Sequence, residues 1–588
     1  MVSSYPPHTL SEYALLADGE RGALVGPRGD ISFLCAPRWH DDAVFAALLG
    51  GGGCYAVTPV DPRFVWGGYY EQGTLIWRSR WVTTDSEIES REALAFPGDE
   101  GRLVLLRRVE AVWGDAEVRV SLECRAGFGA HPMEVRRDGD VWEGRTGGLR
   151  LRWSGGAGAR LEDGVLVLDL QVPLHGHHDL VLEISDAPLP AELPDADRLW
   201  TTTARAWSDA GPDLGDSIAP GDAGHSYAVL RGLTSGTGGM VAAATTALPE
   251  RAEQGRNYDY RYAWIRDQCY AGQAAAVVGA DDLLDAAVRF VTARVHEDGA
   301  RLLPAYDVTG ARVPPERRLG LPGYPGAPTQ VGNRAGTQFQ LDAFGESLLL
   351  LAAAERAGRL DGDGWRAAET LVTAIEKRWA EPDGGIWELP ERRWAHSRLM
   401  CVAGLRAVAD RRGGRAASAW SELADALVDS VDRDCLHPDG RWQRAPDDPR
   451  VDAALLLPGI RGAVPPDDPR HVRTWRAVIA DLADDGFVYR FRQGDGPLHE
   501  AEGAFVMSGF DLALACLGQG QVTQAVRWFE RNRGALGPAG LFAEEYDVVQ
   551  RQLRGNLPQA FAHALLLETA DALGRAGVGD DGFDAEER

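Results

Sequence analysis

The segment of residues 257–267, NYDYRYAWIRD, holds the side chains best suited to chemistry on a small polar molecule. Tyr260 and Trp264 offer ring faces against which the apolar C–H face of a sugar can stack. Arg266 and Asp267 follow and can take sugar hydroxyls in charge-assisted hydrogen bonds. An alternative is an aromatic cluster that fastens the start of a helix, with Arg266 and Asp267 paired to each other. The loops farther along the chain favour the sugar-binding interpretation.

A glycine-rich turn that follows a predicted helix sets Trp387 and Glu388 side by side. A carboxyl group flanked by an indole and a leucine is poorly solvated, which disfavours its charged form. A general acid must still carry its proton near neutral pH, so Glu388 is a candidate for that role. The alternative is a carboxylate that caps the following helix or pairs with Arg392 or Arg398.

Two further loops carry charged residues among aromatic ones. Glu544 and Glu545 are adjacent in a glycine-bounded loop, where one ionised carboxylate could activate a water molecule. Ordinary surface acidity is the alternative in so acidic a chain. Arg490 lies between Tyr489 and Phe491, which suits hydroxyl recognition or a structural cation–π pair. Together, these signals on separate long loops indicate one pocket at the rim of the fold.

The elements that must position these loops change character along the chain. Up to about residue 185, apolar residues alternate or form short runs, as at 103–109, 118–124 and 164–170, which predicts an antiparallel β-sandwich. From about residue 222 the hydrophobic period becomes 3.6, and about twelve helices are expected. Twelve helices joined by long loops predict an (α/α)6 barrel. An open α-solenoid is the alternative, although no fixed repeat of about 30–45 residues is present.

The predicted organisation is therefore multidomain, β followed by all-α. A length of 588 residues fits two or more domains. We expect an N-terminal β-sandwich over 1–190, a helical linker over 191–221, an (α/α)6 catalytic barrel over 222–577 and an acidic tail over 578–588.

The net charge of −26 bears on the class of partner. Nucleic acids and anionic membranes attract clustered cations, so neither is expected, whereas a neutral small sugar is acceptable. The seven cysteines are scattered without a C-x-x-C pair, so neither a zinc knuckle nor a disulfide framework is indicated. Neither a signal-peptide pattern nor an apolar run of roughly 20 residues is present, so a reduced, cytoplasmic protein is expected. The oligomeric state is left open.

The chain resembles glycoside hydrolase family 15, the glucoamylases and their bacterial trehalase and glucodextranase relatives. The likeness spans nearly the whole chain, and its motifs follow the family's order. The stretches 13–19 and 34–38 are similar to the N-terminal β-domain of trehalase-like members. The most specific motifs of the helical half lie at 259–267, 331–333, 338–346, 385–388, 502–505, 543–545 and 555–563.

This resemblance implies an inverting, exo-acting α-glucosidase that releases β-glucose from the non-reducing end of α-glucosides or oligosaccharides. Glu388 matches the family's general acid, and Glu544 matches its general base. Tyr260 matches the tyrosine beside the attacking water. The mechanism requires neither a metal ion nor a cofactor. The residues expected to bind substrate are Tyr260, Trp264, Arg266, Asp267, Trp387, Arg490 and Glu545.

Two departures from the family pattern bear on the linkage that is cleaved. Leu389 stands where fungal members carry a second carboxylate, and Asp511 stands where many bacterial relatives carry tryptophan. Three alternatives follow: an α,α-trehalase with the same chemistry, a catalytically silent sugar-binding protein, and a structural helical scaffold. Retention of both glutamates argues against the silent protein, and the aromatic loops argue against the scaffold.

Overall fold

The computed structural model describes residues 6–209, 211–251, 256–494 and 496–577, so the expected tail at 578–588 lies outside the described residues. The strands of two sheets lie between Ala14 and Ser185. These strands are β1 (Ala14–Ala17), β2 (Gly22–Val25), β3 (Asp30–Cys35), β4 (Ala43–Phe45), β5 (Cys54–Pro59), β6 (Val65–Tyr70), β7 (Trp77–Val82), β8 (Glu87–Leu94), β9 (Arg102–Trp113), β10 (Ala116–Glu123), β11 (Arg125–Ala126), β12 (His131–Asp138), β13 (Val141–Thr146), β14 (Leu149–Ser154), β15 (Arg160–Glu162), β16 (Val165–Val172) and β17 (His177–Ser185).

The two sheets form an antiparallel sandwich. One sheet has the order β1-β2-β3-β5-β10-β16-β15, with β4 against β3, and the other has the order β11-β12-β13-β14-β17-β9-β8-β7-β6. Every pairing in them is antiparallel. Strands β8 and β9 pack against β1 and β10 across the core. Residues of β10 alternate between the core and the surface, as the period of two in its sequence predicts. The predicted sandwich is confirmed.

The rest of the described chain is mainly helical, and short strands pair within its loops. The helices are α1 (Ala196–Ser208), α2 (Pro220–Leu233), α3 (Ile265–Val278), α4 (Asp281–Asp298), α5 (Asp342–Arg356), α6 (Gly362–Arg378), α7 (Ala395–Arg412), α8 (Gly414–Cys435), α9 (Leu457–Ile460), α10 (Pro469–Leu482), α11 (Leu498–Ala501), α12 (Val506–Gly518), α13 (Val522–Arg533) and α14 (Ala560–Arg575). The short strands are β18 (Ala263–Trp264), β19 (Ala305–Tyr306), β20 (Arg317–Arg318), β21 (Gln330–Val331), β22 (Ala483–Asp484), β23 (Phe487–Val488), β24 (Ala504–Phe505), β25 (Glu545–Asp547) and β26 (Gln552–Arg554).

Six helices close into an inner ring. Helix α3 contacts α5, α5 contacts α7, α7 contacts the short α9, α9 contacts α12, α12 contacts α14, and α14 returns to α3. Helices α4, α6, α8, α10, α13 and α2 pack around this ring. Inner helix α5 is buried along almost its whole length, whereas outer helix α8 buries one face only. This closed ring is the predicted (α/α)6 barrel, and an open solenoid would leave α3 and α14 apart.

Inner and outer helices alternate along the chain, and this alternation places the loops. Every loop that leads from an outer helix to the next inner helix opens at the same rim, at the amino-terminal ends of the inner helices. The predicted site residues lie in four such loops or at their junctions with the inner helices, before α3, α7, α12 and α14. The barrel therefore brings distant parts of the sequence to one rim.

A buried arginine joins the sandwich to the barrel. The guanidinium of Arg261 pairs with Asp259 at 2.7 Å. It also donates to the carbonyl oxygen of Asp41 at 2.7 Å and contacts Sγ of Cys35 at 3.1 Å, both in the sandwich. Arg261 is 1% exposed, so removing it would leave buried acceptors without a partner.

The seven cysteines are free thiols. Within the described part of the chain, none of the helices combines the length and the hydropathy that crossing a bilayer requires.

Candidate active site

A cavity opens at the rim where the four loops meet. It has a volume of about 110 Å³, which is room for a polar ligand of several atoms rather than for one water molecule. Predicted site residues from all four loops line this cavity: Tyr260, Trp264, Arg266, Asp267, Trp387, Glu388, Arg490 and Glu544.

Glu388 lies in the turn between α6 and α7 and is half-buried. Its Oε1 accepts a hydrogen bond from the indole Nε1 of Trp264 at 2.7 Å. Its backbone φ of 54° lies in the left-handed region, which costs about 1–3 kcal/mol for a residue other than glycine. Such a conformation persists where the surrounding structure fixes it, and it is common where a side chain must be presented to a ligand.

The helix-capping or ion-pair alternative for Glu388 has no support in the structure. Arg392 pairs with Asp447 at 3.3 Å, and Arg398 pairs with Asp434 at 3.2 Å. Because the two arginines have other partners, the carboxyl group of Glu388 is left to the cavity.

Two aspartates hold the turn that carries Glu388. Asp383 accepts hydrogen bonds from the backbone N–H of Gly385 at 2.7 Å and from the hydroxyl of Ser397 at 2.9 Å. Burial raises the pKa of Asp383 to about 8. Asp452 accepts a hydrogen bond from the indole of Trp387 at 2.8 Å, which fixes the ring next to Glu388.

Glu544 lies in the loop before α14 and is 4% exposed. Its Oε1 accepts a hydrogen bond from the hydroxyl of Tyr260 at 2.9 Å, and its buried Oε2 has no hydrogen-bond partner among the described residues. Burial raises the pKa of Glu544 well above its ordinary value, and the nearby carboxyl of Glu250 adds to this effect. Arg490 and the Tyr260 hydroxyl act in the opposite direction.

Glu545 is fully buried and lies behind the cavity wall rather than in it. Its carboxylate accepts the backbone N–H of Gly503 at 2.8 Å and pairs with Arg490 at 3.3 Å. These contacts tie strand β25 to the loop before α12, so Glu545 supports the wall. A direct contact between Glu545 and substrate stays a prediction.

Arg266 and Asp267 belong to the first turn of α3. The guanidinium of Arg266 donates to Gln340 at 2.9 Å and to Asp342 at 3.0 Å. Oδ1 of Asp267 is buried, and no residue in the described part of the chain forms a hydrogen bond with it. Burial raises the pKa of Asp267 to about 7; Arg266 opposes this effect and Glu388 adds to it. An unpartnered oxygen beside the cavity can accept a hydrogen bond from a sugar hydroxyl.

Arg490 connects the two carboxyl-bearing sides of the cavity. Its guanidinium lies 5.7 Å from the ring of Trp387 and 4.7 Å from that of Phe505. The same group pairs with Glu502 at 2.6 Å. The cation–π interpretation of Arg490 is thus observed, and because Arg490 also lines the cavity, hydroxyl recognition by it stays a prediction.

Other residues that line the cavity were not among the predicted site residues. Glu250 and Arg256 stand just upstream of 257–267, and their only sequence signal is a pair of charges near an aromatic segment, which is common in loops. The additional lining residues are Ala242, Glu250, Arg256, Tyr258, Arg334, Ile386, Leu389, Phe505, Met507, Gln559 and Phe561.

The arrangement is suited to acid–base chemistry. Two carboxyl groups from separate loops, Glu388 and Glu544, line one cavity, and each accepts a hydrogen bond from an aromatic donor. The two donors, Trp264 and Tyr260, are themselves in edge contact, with ring centroids 5.5 Å apart. A molecule in this cavity can be protonated from one side and attacked by activated water from another.

Comparison with known proteins covers both parts of the chain. The family model described as Glycosyl hydrolases family 15 matches residues 227–571, and the model described as Trehalase-like, N-terminal matches residues 4–154. The first match coincides with the helical part of the structure, and the second lies within the sandwich.

Individual relatives extend over nearly the whole chain. The trehalase of Mycobacterium tuberculosis is 31% identical over 96% of this chain and 89% of that protein. The trehalase of Thermoplasma acidophilum is 26% identical over 94% of this chain and 98% of that protein. The crystal structure of a bacterial glucoamylase complexed with acarbose covers 98% of this chain and 96% of its own, with a TM-score of 0.71 at 13% identity. That likeness shows a shared fold.

Proposed function

This chain belongs to glycosyl hydrolases family 15, and on that premise we propose that it hydrolyses α,α-trehalose with inversion, with Glu388 as general acid and Glu544 as general base. The observation that carries the proposal is the pair of carboxyl groups from separate loops in one cavity, each held by its own aromatic donor.

The acid step falls to Glu388. The Trp264 indole occupies one of its carboxyl oxygens, so the other remains to carry the proton. Glu388 gives this proton to the glycosidic oxygen. The bond between that oxygen and the anomeric carbon breaks at the same time, through an oxocarbenium-like state. The departing glucose leaves with a neutral hydroxyl group.

The base step falls to Glu544. Tyr260 holds Oε1, and the unpartnered Oε2 accepts a proton from water. The water oxygen forms its new bond to the opposite face of the anomeric carbon, so the cleaved glucose emerges in the β configuration. Arg266 and Asp267 grip the hydroxyls of this glucose, and the unpartnered oxygen of Asp267 suits that role.

The relatives favour trehalose as the substrate. The two relatives compared by sequence cover nearly the whole chain and carry the name trehalase, and the N-terminal model that matches the sandwich is trehalase-like, whereas the glucoamylase structure shares the fold at 13% identity. The sequence-based hypothesis placed a glucoamylase-type activity first and trehalase as its alternative. Glucoamylase-type action on α-1,4 or α-1,6 linkages stays a prediction.

A panel of disaccharides tests the proposal. We expect kcat/KM on trehalose to exceed that on maltose and on isomaltose by at least about tenfold, because a pocket shaped for one linkage misplaces the others. A higher value on maltose or isomaltose would replace trehalase with a glucoamylase-type activity. Absence of turnover on all three, with trehalose raising the melting temperature, would indicate a silent sugar-binding protein.

A further inference from the structure

Glu250 is a carboxylate in the cavity wall that the mechanism above does not use. It is 3% exposed and lies in the segment that leads to 257–267. Its backbone N–H donates to the carbonyl oxygen of Arg256 at 2.9 Å, and its neighbour Pro249 accepts from the N–H of Gly555 at 2.9 Å. The main chain around Glu250 is thus fixed both to its own loop and to the loop that carries Glu544.

Glu250 and Glu544 converge on Gly555. A Cβ atom at Gly555 would lie 3.4 Å from Oε2 of Glu544 and 3.6 Å from Cγ of Glu250. Among the residues that the structure describes, the buried Oε2 atoms of both glutamates have no hydrogen-bond partner, and Oε2 of Glu250 has only longer ion-pair contacts with Arg256 and Arg490. Two buried carboxyl groups therefore flank one glycine beside the cavity.

The surroundings of Glu250 and Glu544 hold more acids than bases. Arg490 lies 3.5 Å and Arg256 3.6 Å from Oε2 of Glu250. These two guanidiniums are shared with Glu502, at 2.6 and 3.1 Å, and Arg490 also pairs with Glu545. Two cations thus form ion pairs with three carboxyl groups, and Glu544 is a fourth carboxyl group beside them. The titratable groups that face the pair are Tyr258, Tyr260, Arg256, Glu388, Arg490, Glu502 and Glu545.

We propose that Glu250 is a positioning residue of the hydrolytic reaction: its buried carboxylate acts through Glu544, strengthening the hold of Glu544 on the proton it takes from water. This inference rests on the proposed function, since it assigns Glu544 as the base. A nearby negative charge disfavours the ionised form of a carboxyl group and so makes it a stronger base once ionised.

The effect of Glu250 on Glu544 can be measured as a change in the pH profile of kcat/KM. Two variants are compared with the wild type, one that removes the charge of Glu250 and one that keeps it. Glu250→Gln removes a negative neighbour, which lowers the pKa of Glu544 and keeps the base ionised at lower pH. We expect the ratio of variant to wild-type kcat/KM to rise at least about threefold from neutral pH into the acidic limb. Glu250→Asp keeps the charge and should follow the wild-type profile. Glu391→Gln removes an exposed carboxylate from the Glu388 loop as a matched control and should leave the limb in place.

Arg256→Gln provides a second test with the opposite sign. Removing this cation adds net negative charge around Glu544, so the acidic limb should move to higher pH. Arg256 is partly exposed, so this variant carries the test even if Glu250→Gln fails to fold.

The outcomes separate the two proposals. An active wild type whose Glu250→Gln profile runs parallel to its own at every pH, or an Arg256→Gln limb that moves to lower pH, would overturn the role of Glu250 alone. A wild-type chain that releases no glucose from any of the three disaccharides would overturn the proposed function, and the role of Glu250 with it.

Discussion

The two carboxyl groups of the site occupy contrasting surroundings. Glu388 is half-buried in a turn, has a left-handed backbone, and adjoins the Trp264 indole and the Trp387 ring. Glu544 is buried in a cluster of charged groups, where Tyr260 donates to it and Arg490 and Glu250 lie nearby. The Glu388 carboxyl group is therefore the more exposed of the two and has an indole as its donor, whereas the Glu544 carboxyl group is buried among charged groups.

The different surroundings of the two carboxyl groups suit the two roles in the proposed reaction, a general acid and a general base. An acid has to reach the leaving group and regain a proton from solvent after each turnover, which a half-buried turn allows. A base has to hold one water molecule and remain ionised, and its basicity depends on the balance of neighbouring charges. Variants in the surroundings of Glu388 should therefore change the kinetics in a different way from variants in the surroundings of Glu544.

The largest expected effect follows from removing either carboxyl group. Glu388→Gln and Glu544→Gln should each lower kcat by about 10²–10⁴-fold, because each removes one proton transfer, while KM changes little. Steady-state kinetics on trehalose measure this loss. The control is Glu391→Gln, on the same loop as Glu388, which should retain wild-type turnover. Near-normal kcat in either of the first two variants would exclude the corresponding role.

A rescue experiment should distinguish the role of Glu388 as acid from the role of Glu544 as base. α-Glucosyl fluoride has a leaving group that needs no proton, so it should restore turnover to Glu388→Ala by at least about 100-fold relative to trehalose. Azide can attack without deprotonation, so it should restore Glu544→Ala but not Glu388→Ala. Fluoride release and product analysis measure both effects. The reverse pattern would exchange the roles of the two glutamates.

Arg261 lies in sequence between Tyr260 and Trp264, which donate to the two carboxyl groups. Its loss should therefore disturb the loop that serves both Glu388 and Glu544. Arg261→Met leaves the buried carboxylate of Asp259 unpaired, which should destabilise the protein by about 3–5 kcal/mol and lower the melting temperature. Arg205→Met, which breaks an exposed ion pair with Asp209, is the control and should leave the melting temperature unchanged. Equal melting temperatures for the two variants would mean that the contacts of Arg261 between the sandwich and the barrel contribute little to the stability of the protein.

The smallest expected effect concerns the two aromatic donors. The Tyr260 hydroxyl stabilises the ionised form of Glu544, so Tyr260→Phe should raise the pKa of Glu544 further. The base is then protonated at higher pH, and the acidic limb of kcat/KM moves upward, with a loss of about tenfold on that limb. Trp264→Phe removes the matching donor on the acid side and should leave this limb in place. A limb that moves equally in both variants would contradict the division between the two sides.

The sequence predicts the fold well because hydrophobic period follows directly from which faces are buried. The sandwich and the helical ring appear where the periods of 2 and 3.6 place them. The four loops and eight of the residues that line the cavity were also recognised from their residue types and order.

Residues whose surroundings arise only from tertiary packing were not recognised. Asp452 lies about 65 residues from the indole it holds, and Glu250 lies far from Glu544 in sequence although both flank Gly555. Such residues have an ordinary local composition. Glu545 illustrates the same limit, because it is the first residue of strand β25 and its side chain lies behind the wall, whereas Glu544, just before the strand, lines the cavity.

Anomer-resolved proton NMR of trehalose hydrolysis, recorded before mutarotation, tests the central claim most directly. Inversion by Glu388 and Glu544 converts the cleaved glucose to β while the departing glucose keeps its α configuration, so the α and β signals should first appear at equal rates. Initial release of α-glucose alone would show retention and contradict the assignment of an acid and a water-activating base.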